Sequence, residues 1–329
     1  LYIDDKMVID SWKNRGLTTD SVVVTLEKDK KYRLVAEYFD NAGEASAKLY
    51  WRTPDFEKKA LLDLYGDAKK AIQECDMTIA VMGINKSIER EGRDRDHIEL
   101  PKDQELFIEE AYKLNPKMAV VLVAGSSLAV NWMDEHVPAI LNAWYPGEQG
   151  GTAVAEALFG DYNPAGRLPL TFYASSSDLP DFEDYDMSNR TYRYFKGKPL
   201  FPFGHGLSYT TFDYGKAKAD KKILRAGEGV TLTIPLKNIG KLSGDEVVQV
   251  YLRNPGDKDG PIKTLRAFRR ISLEAGQAED VLFELPASTF EWFNPATNRM
   301  EVLPGKYELL YGGTSDEKAL RRLTVTLKK

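Results

Sequence analysis

Cysteine is almost missing from this sequence: Cys75 stands alone among 329 residues. That excludes an internal disulfide framework and leaves the compartment open. Histidine is nearly as scarce, and His97, His136 and His205 are spread too widely for a histidine-rich metal centre. No metal and no cofactor is therefore expected. No apolar run approaches the ~20 residues that span a bilayer, so no membrane partner is expected. Charge of one sign is lacking too, with 45 basic against 50 acidic residues and a net charge of -5. Such a balance offers no footprint for nucleic acid. With 25 glycines and 16 prolines, the chain has too few of either for a fibrous or low-complexity protein. No signal peptide is there to read: the sequence opens on Leu1 and runs straight into structured-looking residues, which suggests a processed or truncated chain.

What remains is the make-up of an ordinary globular protein, with 43% hydrophobic and 29% charged residues. At roughly 150 residues per domain, the length implies two or three domains. A chain of this size buries about three-quarters of its extended surface. Period then divides it. Residues 1–54 read as strands: Tyr32, Leu34, Ala36 and Tyr38 alternate with Arg33, Val35, Glu37 and Phe39. Ala47, Leu49 and Trp51 repeat the pattern after the turn Asp40-Asn41-Ala42-Gly43. So short a stretch does not make a sandwich alone, so it is expected to end a domain begun elsewhere.

Residues 55–174 change character. Ala68–Cys75 reads as the end of a helix, and Met77–Gly83 is a nearly continuous apolar run suited to a parallel strand buried on both faces. A helix is expected from Pro101 through Leu114, with proline at its start. Met118–Ala124 and Ala139–Trp144 are further strands, and Thr152–Phe159 a further helix. Strand, loop and helix in repetition predict an α/β layer with a parallel sheet. Ligands of such sheets sit beyond the carboxyl ends of the strands, which directs attention to the loops at 84–98, 125–132 and 145–151. Residues 175–212 form an aromatic connector. Tyr185, Tyr192, Tyr194, Phe195, Phe201 and Phe203 make it too apolar to float in solvent, so it is expected to pack across a domain junction. From 213 to 329 the period is two again, with Val230, Leu232, Ile234 and Leu236 as one of several alternating sets. Short alternating strands separated by turns predict an immunoglobulin-like sandwich, with Pro235 suggesting an edge strand.

Three loops bear on chemistry. Glu89-Arg90-Glu91-Gly92-Arg93-Asp94-Arg95-Asp96 is dense in charge. Its plain reading is a solvated, self-neutralising run. The sharper reading makes one carboxylate a general acid or base at the mouth of the sheet, with Gly92 allowing a tight turn beside it. The glycine-dense run from Pro146 to Gly151 lacks the features of a phosphate-binding loop and reads as a structural turn. Ser126 and Ser127 lack a nucleophile-elbow setting, which argues against a serine hydrolase. Asn85-Lys86-Ser87 and Asn189-Arg190-Thr191 fit the glycosylation triplet, a pattern short enough for chance.

Longer motifs carry a resemblance. The run from Trp144-x-Pro146-Gly147-x-x-Gly150-Gly151 through Asn163-Pro164-x-Gly166-Arg167-Leu168-Pro169-x-Thr171 resembles glycoside hydrolase family 3. So do Tyr192-Arg193-Tyr194-Phe195 and the stretch Pro199–Tyr209. Asn238-x-Gly240 with Gly244-Asp245-Glu246-Val247-Val248-Gln249-x-Tyr251 resembles the family's fibronectin type III-like domain. Tyr2-Ile3-Asp4-Asp5 with Val8-Ile9-Asp10-x-Trp12 resembles the second half of a protective-antigen-like (PA-fourteen) β-sandwich. The implied order is 1–54 half of that sandwich, 55–174 the α/β domain, 175–212 the connector and 213–329 the fibronectin type III-like domain.

The resemblance implies a retaining exo-β-glycosidase, most often a β-glucosidase, working with two carboxylates. The family's Glu-x-Glu-Gly-x-Asp-Arg pattern falls on Glu89–Arg95, so the resemblance makes Glu91 the acid/base, with Glu89 as fallback. The family's nucleophile is an aspartate on a (β/α)8-type barrel, and no motif for it occurs in this sequence. The expected partners are thus a β-linked oligosaccharide or aryl glucoside and a barrel-containing part, on the same gene product or a second chain. A homo-oligomer is left open. The rivals are a β-xylosidase or related β-glycosidase, and a non-catalytic carbohydrate-binding or scaffold fragment.

Overall fold

The computed structural model describes residues 1–14, 18–41, 47–53 and 66–328. The chain divides into two compact units, Leu1–Glu57 and Lys58–Lys329. In the first unit, β1 (Tyr2–Ile3), β2 (Lys6–Met7) and β3 (Leu34–Val35) form an antiparallel sheet in the order β2-β1-β3. Asp4 and Asp5 reverse the chain with φ of 48° and 61°, a conformation aspartate tolerates. Asp4 accepts from the Arg33 amide at 2.8 Å, and Asp5 pairs with the Arg33 guanidinium at 2.7 Å.

The strands expected at 32–39 and 47–51 are largely not formed: only Leu34–Val35 pairs, and 47–53 holds no strand. Tyr38, Leu49 and Trp51 are exposed, so among the described residues alternation there meets no covering layer to hold it extended. Part of the predicted turn, residues 42 and 43, lies outside the described residues.

In the second unit the order is α1 (Gly66–Glu74), β4 (Thr78–Gly83), α2 (Lys102–Leu114), β5 (Met118–Val123), α3 (Asn131–His136), β6 (Ala139–Asn142) and α4 (Gly150–Phe159). The strands form a parallel sheet in the order β4-β5-β6, as the apolar runs predict. Pro101 caps α2 rather than opening it, its carbonyl accepting from the amides of Gln104 and Glu105. Ile72 of α1, Ile108 and Ala111 of α2 and Met133 of α3 share one core with Ala80, Met118, Val120 and Leu122. β5 is buried on both faces. β4 is not: Ile79 is 43% and Val81 62% exposed. Its sole ladder partner among the described residues is β5, so an apolar run here marks an edge strand covered on one face. The short helix α3 falls partly within a stretch read from sequence as loop.

The connector carries the one-turn helix α5 (Thr191–Tyr194). Tyr192 stacks on Phe203 at 4.3 Å, meets Tyr251 of the following sandwich edge-on, and accepts the Leu265 amide at 3.1 Å. Phe195 is buried and Phe172 bridges to Phe201. Tyr192 and Phe203 thus pack where the α/β layer meets the sandwich, whereas Phe201 packs against the α/β core and Phe195 against Tyr173. Tyr185 departs from expectation at 92% exposed, and nearby Phe182 is 82% exposed. Residues 181–190 fold on themselves. Asp181, Asp184 and Asp186 each accept the amide two residues on, and the Arg190 guanidinium gathers the carbonyls of Asp181, Asp184 and Asp186. With the backbone satisfied locally, the rings are not needed as anchors.

The sandwich contains β7 (Phe212–Tyr214), β8 (Lys218–Ala219), β9 (Ile223–Arg225), β10 (Val230–Asn238), β11 (Gly244–Arg253), β12 (Thr264–Leu273) and β13 (Ala278–Leu285). A hairpin, β14 (Glu291–Asn294) with β15 (Arg299–Val302), precedes β16 (Gly305–Gly312) and β17 (Arg321–Lys328). One sheet runs β13-β10-β7 with β8 also on β10; the other runs β12-β11-β16-β17-β9. Alternate residues of both sheets, among them Leu232, Ile234, Val250, Leu309 and Val325, form the core. Pro235 is not on an edge strand, because β10 is paired on both sides. Its carbonyl accepts from Gly215 at 2.7 Å, so its missing N–H faces the break between β7 and β8, where no ladder donor is required.

Candidate active site

The loop from β4 to α2 leaves the carboxyl end of the sheet. Gln104 of α2 anchors its start by bonding both the amide and the carbonyl of Gly83 at 2.8 Å. Asn85 then turns the chain, its side chain accepting from the amide (2.8 Å) and hydroxyl (2.7 Å) of Ser87. Arg90 and Arg93 bond each other's backbone in both directions, at 3.0 and 2.9 Å. This closes a tight reversal in which Gly92 takes a φ of 72° and Glu91 stands exposed at the tip. No hydrogen bond or ion pair of Glu91 occurs among the described residues.

Glu89 is placed quite differently. Its side chain is 18% exposed and pairs with Arg95 Nε at 3.1 Å. Ser126 donates its hydroxyl to Glu89 Oε2 at 2.5 Å, and Tyr145 donates to Oε1 at 3.3 Å. Arg95 extends the cluster by donating to Ser126 Oγ (2.7 Å) and the Ser127 carbonyl (2.8 Å). The hydroxyl of Ser126 is thus committed to a carboxylate and a guanidinium, not arranged as a nucleophile. Partial desolvation and then the Glu89 charge hold the Tyr145 phenol above its ordinary range. Trp144, just before it, has a φ of 55°, a costly conformation for a bulky residue that turns the chain toward Glu89.

The far end of the loop is tied down as well. Ser176 donates its hydroxyl to Glu99 at 2.7 Å and its amide at 3.2 Å. Burial alone would raise the Glu99 carboxyl, but these bonds outweigh it and bring it below the usual range. Between the two anchors lies a cleft of about 550 Å³, lined by Arg90, Arg93, Asp94, Ser126, Tyr145 and the Glu89–Arg95 pair. Glu91 is not part of that lining. Among the described residues, no group of three or more His, Cys, Asp or Glu could hold a metal ion. The turn at 146–151 packs closely, Gly150 lying against the Pro146 ring, in keeping with a structural role. Sequence reasoning expected arginines of this loop to position a carboxylate without singling out Arg95, and it missed Tyr145 and Glu99 as organisers.

The model of the glycosyl hydrolase family 3 C-terminal domain matches residues 14–209, and that of a fibronectin type III-like domain matches 246–315. The chain belongs to glycosyl hydrolase family 3. It is 39% identical over 340 residues to a xylan 1,4-beta-xylosidase of Xylanibacter ruminicola, across 99% of this chain and 38% of that protein. It is 33% identical over 283 residues to thermostable beta-glucosidase B of Acetivibrio thermocellus, across 81% of this chain and 37% of that protein. Its fold matches a beta-glucosidase from Listeria innocua solved with glucose, with a TM-score of 0.71 and 26% identity over 85% of this chain and 39% of that one. The chain therefore spans less than two-fifths of the length of these relatives. An α/β domain with a parallel sheet joined to an all-β fibronectin type III-like domain is the family's C-terminal architecture.

Proposed function

We propose that this chain is the C-terminal part of a retaining exo-β-glycosidase and that Glu91 is its general acid/base. The observation that carries the reading is the contrast within one loop. Glu89 is consumed by Arg95, Ser126 and Tyr145, whereas the Arg90–Arg93 turn holds Glu91 out at the carboxyl end of the sheet. A retaining enzyme needs a second carboxylate about 5–5.5 Å away as nucleophile. On the family resemblance, that is an aspartate of a barrel-containing part, with residues 1–54 the end of a PA-fourteen-like insertion.

In this mechanism Glu91 gives its proton to the glycosidic oxygen as the aglycone leaves and the nucleophile bonds to the anomeric carbon. The Glu91 carboxylate then takes a proton from water, which displaces the nucleophile and regenerates both groups. Terminal β-D-glucosyl residues are the favoured substrates. A β-xyloside is the second reading, supported by the 39% identity to a xylan 1,4-beta-xylosidase across 99% of this chain.

The chain alone is expected to be inert toward aryl β-glucosides and aryl β-xylosides, and addition of the barrel-containing part to restore turnover of one of them. In the complete enzyme, Glu91→Gln should slow turnover sharply, least for substrates with good leaving groups, and azide should partly restore the rate by capturing the glycosyl-enzyme. Normal rates in Glu91→Gln would remove the assignment. Activity of the chain by itself would remove the division between two parts.

A further inference from the structure

We infer that Glu89 is a positioning residue that sets where Glu91 stands, acting through the cluster of Arg95, Ser126 and Tyr145. This rests on the reading of Glu91 as the acid/base.

The cluster joins three loops at the carboxyl end of the sheet. Glu89 lies on the loop after β4, Ser126 on the loop after β5 and Tyr145 on the loop after β6. A carboxylate bound by donors from all three strand ends is fixed relative to the sheet, not merely to its own loop. Its oxygens already accept from three donors of the protein, so they are engaged away from a substrate. Arg95, with its side chain only 9% exposed, is spread over Glu89, Ser126 and Ser127, so the pair cannot swing as a surface ion pair does.

The packing around the cluster is close. A methyl group on Gly125 would come within 2.5 Å of the Tyr145 ring and 3.1 Å of Glu89 Oε1. Trp144 is held at a φ of 55°, and so bulky a residue keeps that conformation only where its surroundings enforce it. A single residue, Arg90, separates Glu89 from Glu91, and its backbone is locked to Arg93 in both directions. The direction in which Glu91 projects is therefore inherited from Glu89. Proton transfer to a glycosidic oxygen is sensitive to this, because a misplacement of about 1 Å costs on the order of a hundredfold in rate.

The test is a double-mutant cycle in the complete enzyme, using aryl β-glycosides with good and poor leaving groups, with and without azide. Glu89→Gln is expected to lower kcat on poor leaving groups by about a hundredfold. Its loss on good leaving groups should be smaller, its KM little changed, and azide should give no rescue, since the Glu91 carboxylate still occupies the site. A purely structural defect would instead lower the amount of active enzyme equally for every substrate. Glu91→Gln should lose more and respond to azide. The double variant should be no slower than Glu91→Gln alone, because Glu89 acts only through Glu91. Ser126→Ala removes one hydrogen bond and should show the same leaving-group pattern at about a tenth of the normal rate, which keeps the test open if Glu89→Gln folds poorly.

Additive losses in the double variant, or a uniform loss on all substrates, would overturn the inference while leaving Glu91 as acid/base. So would wild-type rates in both Glu89→Gln and Ser126→Ala. A larger, azide-rescued loss in Glu89→Gln with near-normal Glu91→Gln would overturn the underlying assignment as well.

Discussion

Arg167 and Glu246 meet at 3.0 Å where the α/β layer joins the sandwich, with side chains only 9% and 8% exposed. Arg167 belongs to the Gly166-Arg167-Leu168-Pro169 motif, and Glu246 lies near the start of β11, where its carboxylate also accepts the Val247 amide at 2.7 Å. Two distant stretches with strong family resemblance are thus halves of one buried contact.

Breaking such a pair from one side strands a charge away from water, which costs about 3–5 kcal/mol. Arg167→Met should lower the free energy of unfolding by about that amount. The double replacement Arg167→Met with Glu246→Leu should recover most of the loss. Urea unfolding of the wild type and both variants checks this. A single-variant loss below about 1 kcal/mol would mean that the pair behaves like a surface one.

Gly83 and Gly92 bracket the start of the loop and both have positive φ, 150° and 72°. Their surroundings differ. A Cβ on Gly83 would fall on the Val123 carbonyl oxygen, whereas nothing lies within 4 Å of one on Gly92. Gly92→Ala should therefore cost about 1–2 kcal/mol from backbone conformation alone. Gly83→Ala should cost well beyond that or prevent folding. Thermal unfolding of the two variants separates them, and equal melting temperatures would refute the distinction.

Burial holds the His205 imidazole below its ordinary value of 6.5, with Arg167 adding to the effect and Asp134 and Asp316 opposing it. The unfolded chain then binds the proton more readily than the folded one. The stability contribution is complete above the unfolded value and is lost as pH falls through the lowered folded value. His205→Phe keeps an aromatic ring on Phe201, against which the imidazole stacks at 5.1 Å. The stability advantage of wild type over this variant should shrink between about pH 7.5 and pH 5.5. Unfolding curves at several pH values measure it, and a constant or growing advantage would count against the burial effect.

The two parts of the connector should differ toward a protease that cuts after aromatic residues. Phe182 and Tyr185 are exposed in a self-contained segment, while Tyr192 and Phe203 hold the junction and Phe195 is buried against Tyr173. Cleavage of the native protein should occur after Phe182 or Tyr185 and spare the other three. Mass spectrometry of the early fragments decides it, and early cuts after Tyr192 or Phe203 would contradict the packing.

Much of the architecture was legible in the sequence because its causes are local. The apolar run Met118–Val123 forms a strand buried on both faces, and alternation at Val230–Leu236 forms one buried on a single face. The same reasoning misjudged Ile79 and Val81, since apolar composition does not reveal whether a layer covers the second face. Pro235 misled because its missing donor meets a gap between two short strands, which is a tertiary accident. In the site, the charge-dense loop Glu89–Arg95 was legible as a candidate through the family pattern. The partners of Glu89 were not, because Ser126 and Tyr145 lie 37 and 56 residues away on other loops and no periodicity connects them.

The sandwich places β9, near its beginning, in parallel register with β17, where Ile223 pairs with Thr326. On its other side β17 pairs with β16, so a single late strand joins β9 to the rest of its sheet. Order of synthesis then governs assembly. On the ribosome, β9 must wait for almost the whole domain to be made before its ladder partner exists, and contacts so distant in sequence form slowly. Until β17 arrives, the edge of β16 stays open, and this is the interval in which the nascent domain most needs protection from mispairing.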